Sequence, residues 1–232
     1  MTLVLIYSFV AGLSMLVGGV LARYSSLPSK RFDGVILHAV TAFGGGALLA
    51  AIALVLVPEA TEQLAAWQFG LAFGGGAAAF MELDRRLQNQ GGTGAQVVAM
   101  LSDFLPEAIA LGAAFARGDS SGPLLAMLIA LQNVPEGFNA YRELESVMRA
   151  RKALLILFAL VWLGPLSAGV GYLVLVDYPD IVAYVMSFAA GGILYLIFQD
   201  IAPEAKLTNH WAPPLGAVAG FLLGTLGDYM VH

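Results

Sequence analysis

An all-α membrane protein with eight transmembrane helices is what this sequence predicts, and three observations carry the prediction. Of its 232 residues 59% are hydrophobic, and the mean hydropathy is +0.81, too apolar for a water-soluble domain. Charged residues are only 12% and fall in short clusters. Those clusters divide the chain into eight apolar stretches, most near the ~20 residues a helix needs to cross a ~30 Å hydrocarbon core. A transmembrane barrel would instead show alternating segments of about ten residues, and the sequence has no such pattern. One transmembrane domain, residues 1–232, is expected.

The first segment spans residues 2–23. It has neither a basic leader nor a clear small-residue cleavage site, so it is read as a retained helix, not a signal peptide. The second, 35–58, follows Lys30-Arg31, contains Gly44-Gly45-Gly46 and ends at Pro58-Glu59. The third, 64–83, contains Gly74-Gly75-Gly76 and leads into a polar link from Arg85 to Gly94. The fourth and fifth, 96–116 and 122–142, are interrupted near mid-length by carboxylates and prolines. The sixth, 153–176, follows Arg149, Arg151 and Lys152; the seventh, 180–203, ends at Pro203-Glu204; the eighth is 213–231. Glycine triplets let helix backbones approach closely, with a hinge role as the alternative. Trp67, Trp162 and Trp211 read as interface or packing aromatics.

Eight spans with an external N-terminus put Arg23, Lys30, Arg31, Arg85, Arg86, Arg142, Arg149, Arg151, Lys152 and Lys206 inside and only Arg117 outside. Basic residues favour the cytoplasmic side, so both termini are expected outside. Glu59, Glu62, Asp119, Asp177, Asp180 and Asp228 fall at outer ends, where they would concentrate cations or simply occupy loops that basic residues avoid. Net charge is −5, and nucleic acid is not an expected partner. Without cysteine there is no disulfide framework and no thiolate metal site.

Internal repetition is visible. Phe43-Gly44-Gly45-Gly46 through Pro58-Glu59-Ala60 matches Phe188-Ala189-Ala190-Gly191 through Pro203-Glu204-Ala205, 145 residues on. Leu13-Ser14 and Val17-Gly18 match Leu166-Ser167 and Val170-Gly171. The matched segments run in opposite directions, and segments four and five also copy each other, so the order reads as a 3+2+3 inverted repeat: helices 1–3 over 2–83, helices 4–5 over 96–142 and helices 6–8 over 153–231. Inverted repeats around a polar midplane site mark secondary transporters.

The polar site is expected on segments four and five. Ser102-Asp103-Phe104-Leu105-Pro106-Glu107 and Leu131-Gln132-Asn133-Val134-Pro135-Glu136 follow one pattern. A carboxylate at mid-membrane costs about 2.5–3.5 kcal/mol on insertion scales. Asp103, Glu107 and Glu136 therefore need a partner, and a bound cation supplies one. Asp103 and Glu107 share a helix face, as do Gln132 and Glu136, with Asn133 at its edge. Pro106 and Pro135 each lack an N–H and free the carbonyls of Ser102 and Leu131 at the same depth.

These tandem motifs, with eight spans and outside termini, resemble the ZIP (Zrt/Irt-like) family of divalent metal transporters over the whole chain, as a divergent bacterial-type member. Gln132-Asn133-Val134-Pro135-Glu136-Gly137 is its most specific piece. In helix 4 the family usually has His-Asn-x-Pro-Glu-Gly; here Asp103 replaces the histidine, Phe104 the asparagine and Ala108 the glycine. In helix 6 Gly164-Pro165 stands where many members carry Glu-Pro, and the usual histidine-rich loop between helices 3 and 4 is absent. The resemblance implies inward transport of Zn²⁺, Fe²⁺ or Mn²⁺ as substrate, with no organic cofactor, in a multi-pass protein of a bacterial cytoplasmic membrane, with a homodimer expected. It implies one metal held by Asp103, Glu107, Gln132 and Glu136, with Asn133 adjacent. An all-oxygen set suits Mn²⁺, Fe²⁺ or Mg²⁺ better than an imidazole-bearing one, and carboxylates also ligate Zn²⁺.

Glu59 and Asp228 are candidate entrance residues; Asp200, Glu204 and His38 are candidate exit residues, His38 having also a purely structural reading. Two other functions stay open: a non-transporting membrane receptor or scaffold of the same fold, and a proton-coupled carrier of an organic cation. An enzyme is not expected. His-Glu-x-x-His is absent, and Gly227-Asp228 is only a fragment of an intramembrane aspartyl-protease pattern.

Overall fold

In a computed structural model, residues 1–25, 33–89, 95–118, 121–208 and 210–231 are described. Among these residues all regular structure is helical and forms eight rods. The first is α1 (Thr2–Ser25); the second joins α2 (Asp33–Ala51), a π-helical turn at Ile52–Leu56 and α3 (Val57–Gln63). Then come α4 (Ala66–Asn89), α5 (Ala95–Arg117) and α6 (Ser121–Glu145). The sixth rod joins α7 (Ala150–Val161), α8 (Leu163–Val170) and a π turn at Gly171–Leu175. The seventh joins α9 (Pro179–Leu196), a π turn at Ile197–Ile201 and α10 (Ala202–Ala205); α11 (Ala212–Val231) is the eighth. The rods fall on the eight predicted segments and overrun them by up to two turns. Among the described residues four stretches are long and apolar enough to cross a membrane: Thr2–Tyr24, Gly34–Gln63, Ala150–Leu175 and Pro179–Ile201. Large apolar side chains such as Leu3, Leu71, Leu166 and Leu222 point outward, as a lipid-facing surface requires.

Local chemistry explains two of the three π turns. The π turns at Ile52–Leu56 and Ile197–Ile201 each precede a proline in the first turn of the next helix, Pro58 and Pro203. A proline has no N–H to close the ladder, and a wider turn absorbs the mismatch. By contrast α5 and α6 stay helical through Pro106 and Pro135. The left-handed Gly118, at φ 72°, follows the end of α5.

Packing sets the directions. Gly216, Gly220 and Gly224 of α11 lie along Ala39, Phe43 and Ala50, so α11 runs with α2. It runs against α6, since Gly224 meets Leu128 and Gly227 meets Leu124. Helix α1 runs with α6, with Ala11 beside Asn133 and Gly19 beside Tyr141. Ser187 Oγ donates to the Phe69 carbonyl at 3.1 Å and Tyr195 Oη to Asp84 at 3.1 Å, so α4 runs with α9. Arg23, Arg85, Arg86, Arg142 and Lys206 consequently gather at one end, with Arg149, Arg151 and Lys152 just after α6. Arg117 lies at the opposite end.

Among the described residues glycines carry four reciprocal crossings, two of them between α2 and α11 and between α4 and α9. A Cβ on Gly46 would collide with the Ala217 carbonyl, and one on Gly220 with that of Phe43, so α2 and α11 touch backbone to backbone. The same reciprocal clasp joins α9 to α4: Gly191 lies on the Phe73 carbonyl and Gly76 on that of Phe188. The core sits around α5 and α6, with Met15, Phe104, Leu111, Leu128, Leu157 and Met186 fully buried.

Candidate metal centre

Helices α5 and α6 bring the site to the middle of the bundle. Gly18 of α1 lies on the Val134 carbonyl and Gly137 of α6 on the Met15 carbonyl, which pulls α1 tight against α6. Pro135 packs its ring on Gly44 of α2 from another side. Water is thereby kept from the polar groups between: Glu107 is 0% exposed, Gln132 1% and Asn133 0%.

Two of the predicted site residues meet directly. Gln132 Nε2 donates to Glu107 Oε2 at 2.6 Å, across from α6 to α5. Asn133 Nδ2 donates to the Ala11 carbonyl at 2.8 Å. Each amide thus uses its nitrogen on a neighbouring helix and leaves its oxygen inside. Gln132 Oε1 and Asn133 Oδ1 are buried and have no hydrogen-bond partner among the described residues. An unsatisfied buried acceptor costs about 1–3 kcal/mol, and a cation would remove that cost. Glu136 stands one turn after Gln132 on the same helix, with both carboxylate oxygens shielded from solvent. Asp103 stands one turn before Glu107 on α5; its side chain lies outside the described residues. Among the described residues no three His, Asp or Glu side chains gather into a metal-sized cluster. What the described residues contribute is two carboxylates and two amides.

Phe104 adds something that sequence reasoning missed. It is 1% exposed, and a Cβ on Gly164 would lie 2.8 Å from its ring. The aromatic at one departure from the helix 4 pattern therefore fills the space beside the glycine at the other. The same Cβ would lie 2.7 Å from the Ser8 carbonyl, so the backbone of α1 as well as the Phe104 ring crowds position 164.

The candidate entrance and exit residues fare differently. Glu59 of α3 is ion-paired to Arg117 at the end of α5, and both line a cavity of about 430 Å³ together with Glu62, Gln63, Pro179 and Val182. Asp228 is half-buried on α11, near the start of α6, and is not among the residues lining that cavity. At the basic end Asp200 sits half-buried in the π turn of the seventh rod, within electrostatic reach of Tyr195. The Glu204 side chain lies outside the described residues. His38 is half-buried on α2, three residues before Thr41, whose buried hydroxyl has no hydrogen-bond partner among the described residues. The sequence signal for the Glu59 pair was the lone basic residue at the outer end, which needed a partner there.

In comparison with known proteins, the chain matches no family model and no curated protein.

Proposed function

We propose that this protein carries a divalent metal cation, Zn²⁺, Fe²⁺ or Mn²⁺, across a bacterial cytoplasmic membrane toward the basic side of the bundle, as a divergent member of the ZIP type. The observation that carries the reading is the pair of orphaned amide oxygens in mid-bundle, Gln132 Oε1 and Asn133 Oδ1, the first on an amide that also bonds to the Glu107 carboxylate. Asp103 and Glu136 complete the proposed ligand set by their helical spacing. Crowding at Gly164 favours one metal, because the Ser8 carbonyl and the Phe104 ring occupy the space that a side chain at that place would need.

The 3+2+3 inverted arrangement, with both termini outside, belongs to the same proposal. In its favour, the π turns at Ile52–Leu56 and Ile197–Ile201 and the clasp glycines Gly46 and Gly191 match at the 145-residue offset of the sequence repeat. A homodimer in the bilayer is the expected assembly.

Competitive uptake of Zn²⁺, Fe²⁺ and Mn²⁺ into proteoliposomes tests the reading. Wild type should accumulate metal, Glu107→Ala and Glu136→Ala should not, and Asp103→His should raise the Zn²⁺/Mn²⁺ ratio because imidazole favours the softer ion. Carboxylates bind metal only when deprotonated, so metal affinity should fall between pH 8 and pH 5. Wild-type vesicles that take up no more metal than Glu107→Ala vesicles would sink the transporter reading. The Gln132–Glu107 hydrogen bond would then be interhelical glue in a non-transporting receptor or scaffold. Stabilisation by an organic amine rather than by metal would favour the organic-cation carrier.

A further inference from the structure

A further cavity lies away from the proposed metal centre. It is an apolar groove of about 810 Å³ between α2, the seventh rod and the first half of α11. Its floor includes Gly45 and Gly46, and its walls include Phe198, Val218 and Phe221. Thr225, at its inner limit, gives its hydroxyl proton to the Phe221 carbonyl at 3.0 Å, so it presents no unspent donor to the groove. Charge is confined to one extremity: Lys206 is the single fixed cation among the described residues lining the groove, with His210 also on the lining.

Length and charge together identify an occupant. Along α11 the groove runs from Pro213 to Thr225, a rise of roughly 18 Å along the helix. Half of a ~30 Å hydrocarbon core is roughly 15 Å, the depth of one leaflet. The groove thus reaches from the basic end of the bundle to mid-membrane, apolar throughout its depth and cationic at the surface. Basic pockets between helices on this side of a membrane take anionic headgroups.

We propose that this groove holds one acyl chain of an anionic phospholipid from the leaflet at the basic end, with the lipid phosphate on Lys206. The lipid would cover the open flank of the Ile197–Ile201 turn and of Gly45. This inference needs the bundle to lie in a bilayer, and it is independent of which cation, if any, the protein carries.

Native mass spectrometry of the full-length protein in detergent tests it, with phosphatidylglycerol and phosphatidylcholine of identical chains as probes. One Lys near an anionic headgroup contributes about 1 kcal/mol, so phosphatidylglycerol should be retained about fivefold better. Lys206→Gln should erase that preference, and Val218→Trp, a change at an exposed wall position, should lower retention of both lipids by filling the groove. Equal retention of the two lipids by wild type, or an unchanged preference in Lys206→Gln, overturns the proposal. So does efficient disulfide cross-linking of Val218→Cys between two copies in vesicles, which would make a second chain the occupant.

Discussion

The two stretches 43–60 and 188–205 are copies in sequence and in local shape, yet they meet different surroundings. Each has a clasp glycine, then a π turn, then Pro-Glu-Ala. The first copy ends where Arg117 of α5 pairs with Glu59 on the lining of a cavity of about 430 Å³. The second copy ends beside the open apolar groove, and the arginine in the last turn of α6, Arg142, lies 5.8 Å from the Phe138 ring centre, with its side chain exposed. One backbone pattern thus sits in two environments, with Gln199 and Asp200 in the second π turn where the first has Leu54 and Val55. Within the transport proposed above, the Glu59–Arg117 pair would act as a latch on its end of the bundle.

The largest effect should come from breaking what the two copies share. Gly46→Leu and Gly191→Leu each force a side chain into a facing backbone carbonyl. Overpacking of a tight site costs about 1–3 kcal/mol even where side chains can move, and backbone cannot give way as a side chain does. Both variants should lose most monodisperse protein on size exclusion and melt well below wild type. Tolerance at one position with failure at the other would show that the two crossings are not equivalent.

A smaller effect should come from what the copies do not share. Arg117→Gln removes the ion pair at one end, whereas Arg142→Gln removes only a cation–π contact at the other. A part-buried pair of this kind is worth up to about 1 kcal/mol, so opening of the latched corner should rise about two- to fivefold. Val182 is 1% exposed and lines the cavity, and the chain has no native cysteine. Labelling of Val182→Cys by an impermeant maleimide should therefore quicken in the Arg117→Gln background and stay unchanged with Arg142→Gln. Equal acceleration by both would remove the asymmetry.

Much of this was legible in the sequence, for reasons that differ from place to place. The rods announced themselves because lipid-facing and core-facing positions are both apolar, which makes each span a continuous run. Glu107, Gln132 and Asn133 were legible because polar residues inside such a run are expensive. The repeat was legible because Pro58 and Pro203 leave the same backbone consequence. The Glu59–Arg117 pair joins residues 58 positions apart, and the rotation of two rods, which apolar runs do not specify, decides whether they meet. Phe104 and Gly164 looked like two separate departures from a family pattern, and only packing shows that one fills the space beside the other. The groove depends on how far the seventh rod stands from α11, a spacing written in no single residue.

The smallest effect concerns Gly74 and Gly75. They stand in the same triplet as Gly76, but Gly76 alone is clasped, and nothing lies within 4 Å of a Cβ on either of the others. In the proposed inverted arrangement α11 takes the place of α4: Gly220 lies on the Phe43 carbonyl as Gly76 lies on that of Phe188, and the two residues before Gly220 are Val218 and Ala219. Side chains are accepted there, so packing does not explain the two glycines. Replacing a mid-helix glycine by alanine gains about 0.5–1 kcal/mol by reducing the entropy lost on folding. Gly74→Ala and Gly75→Ala should each raise the melting temperature slightly and leave metal uptake at the wild-type rate. If uptake slows while the melting temperature rises, the pair is a hinge that α4 uses and α11 lacks. The two halves would then differ in their moving parts as well as in their latches.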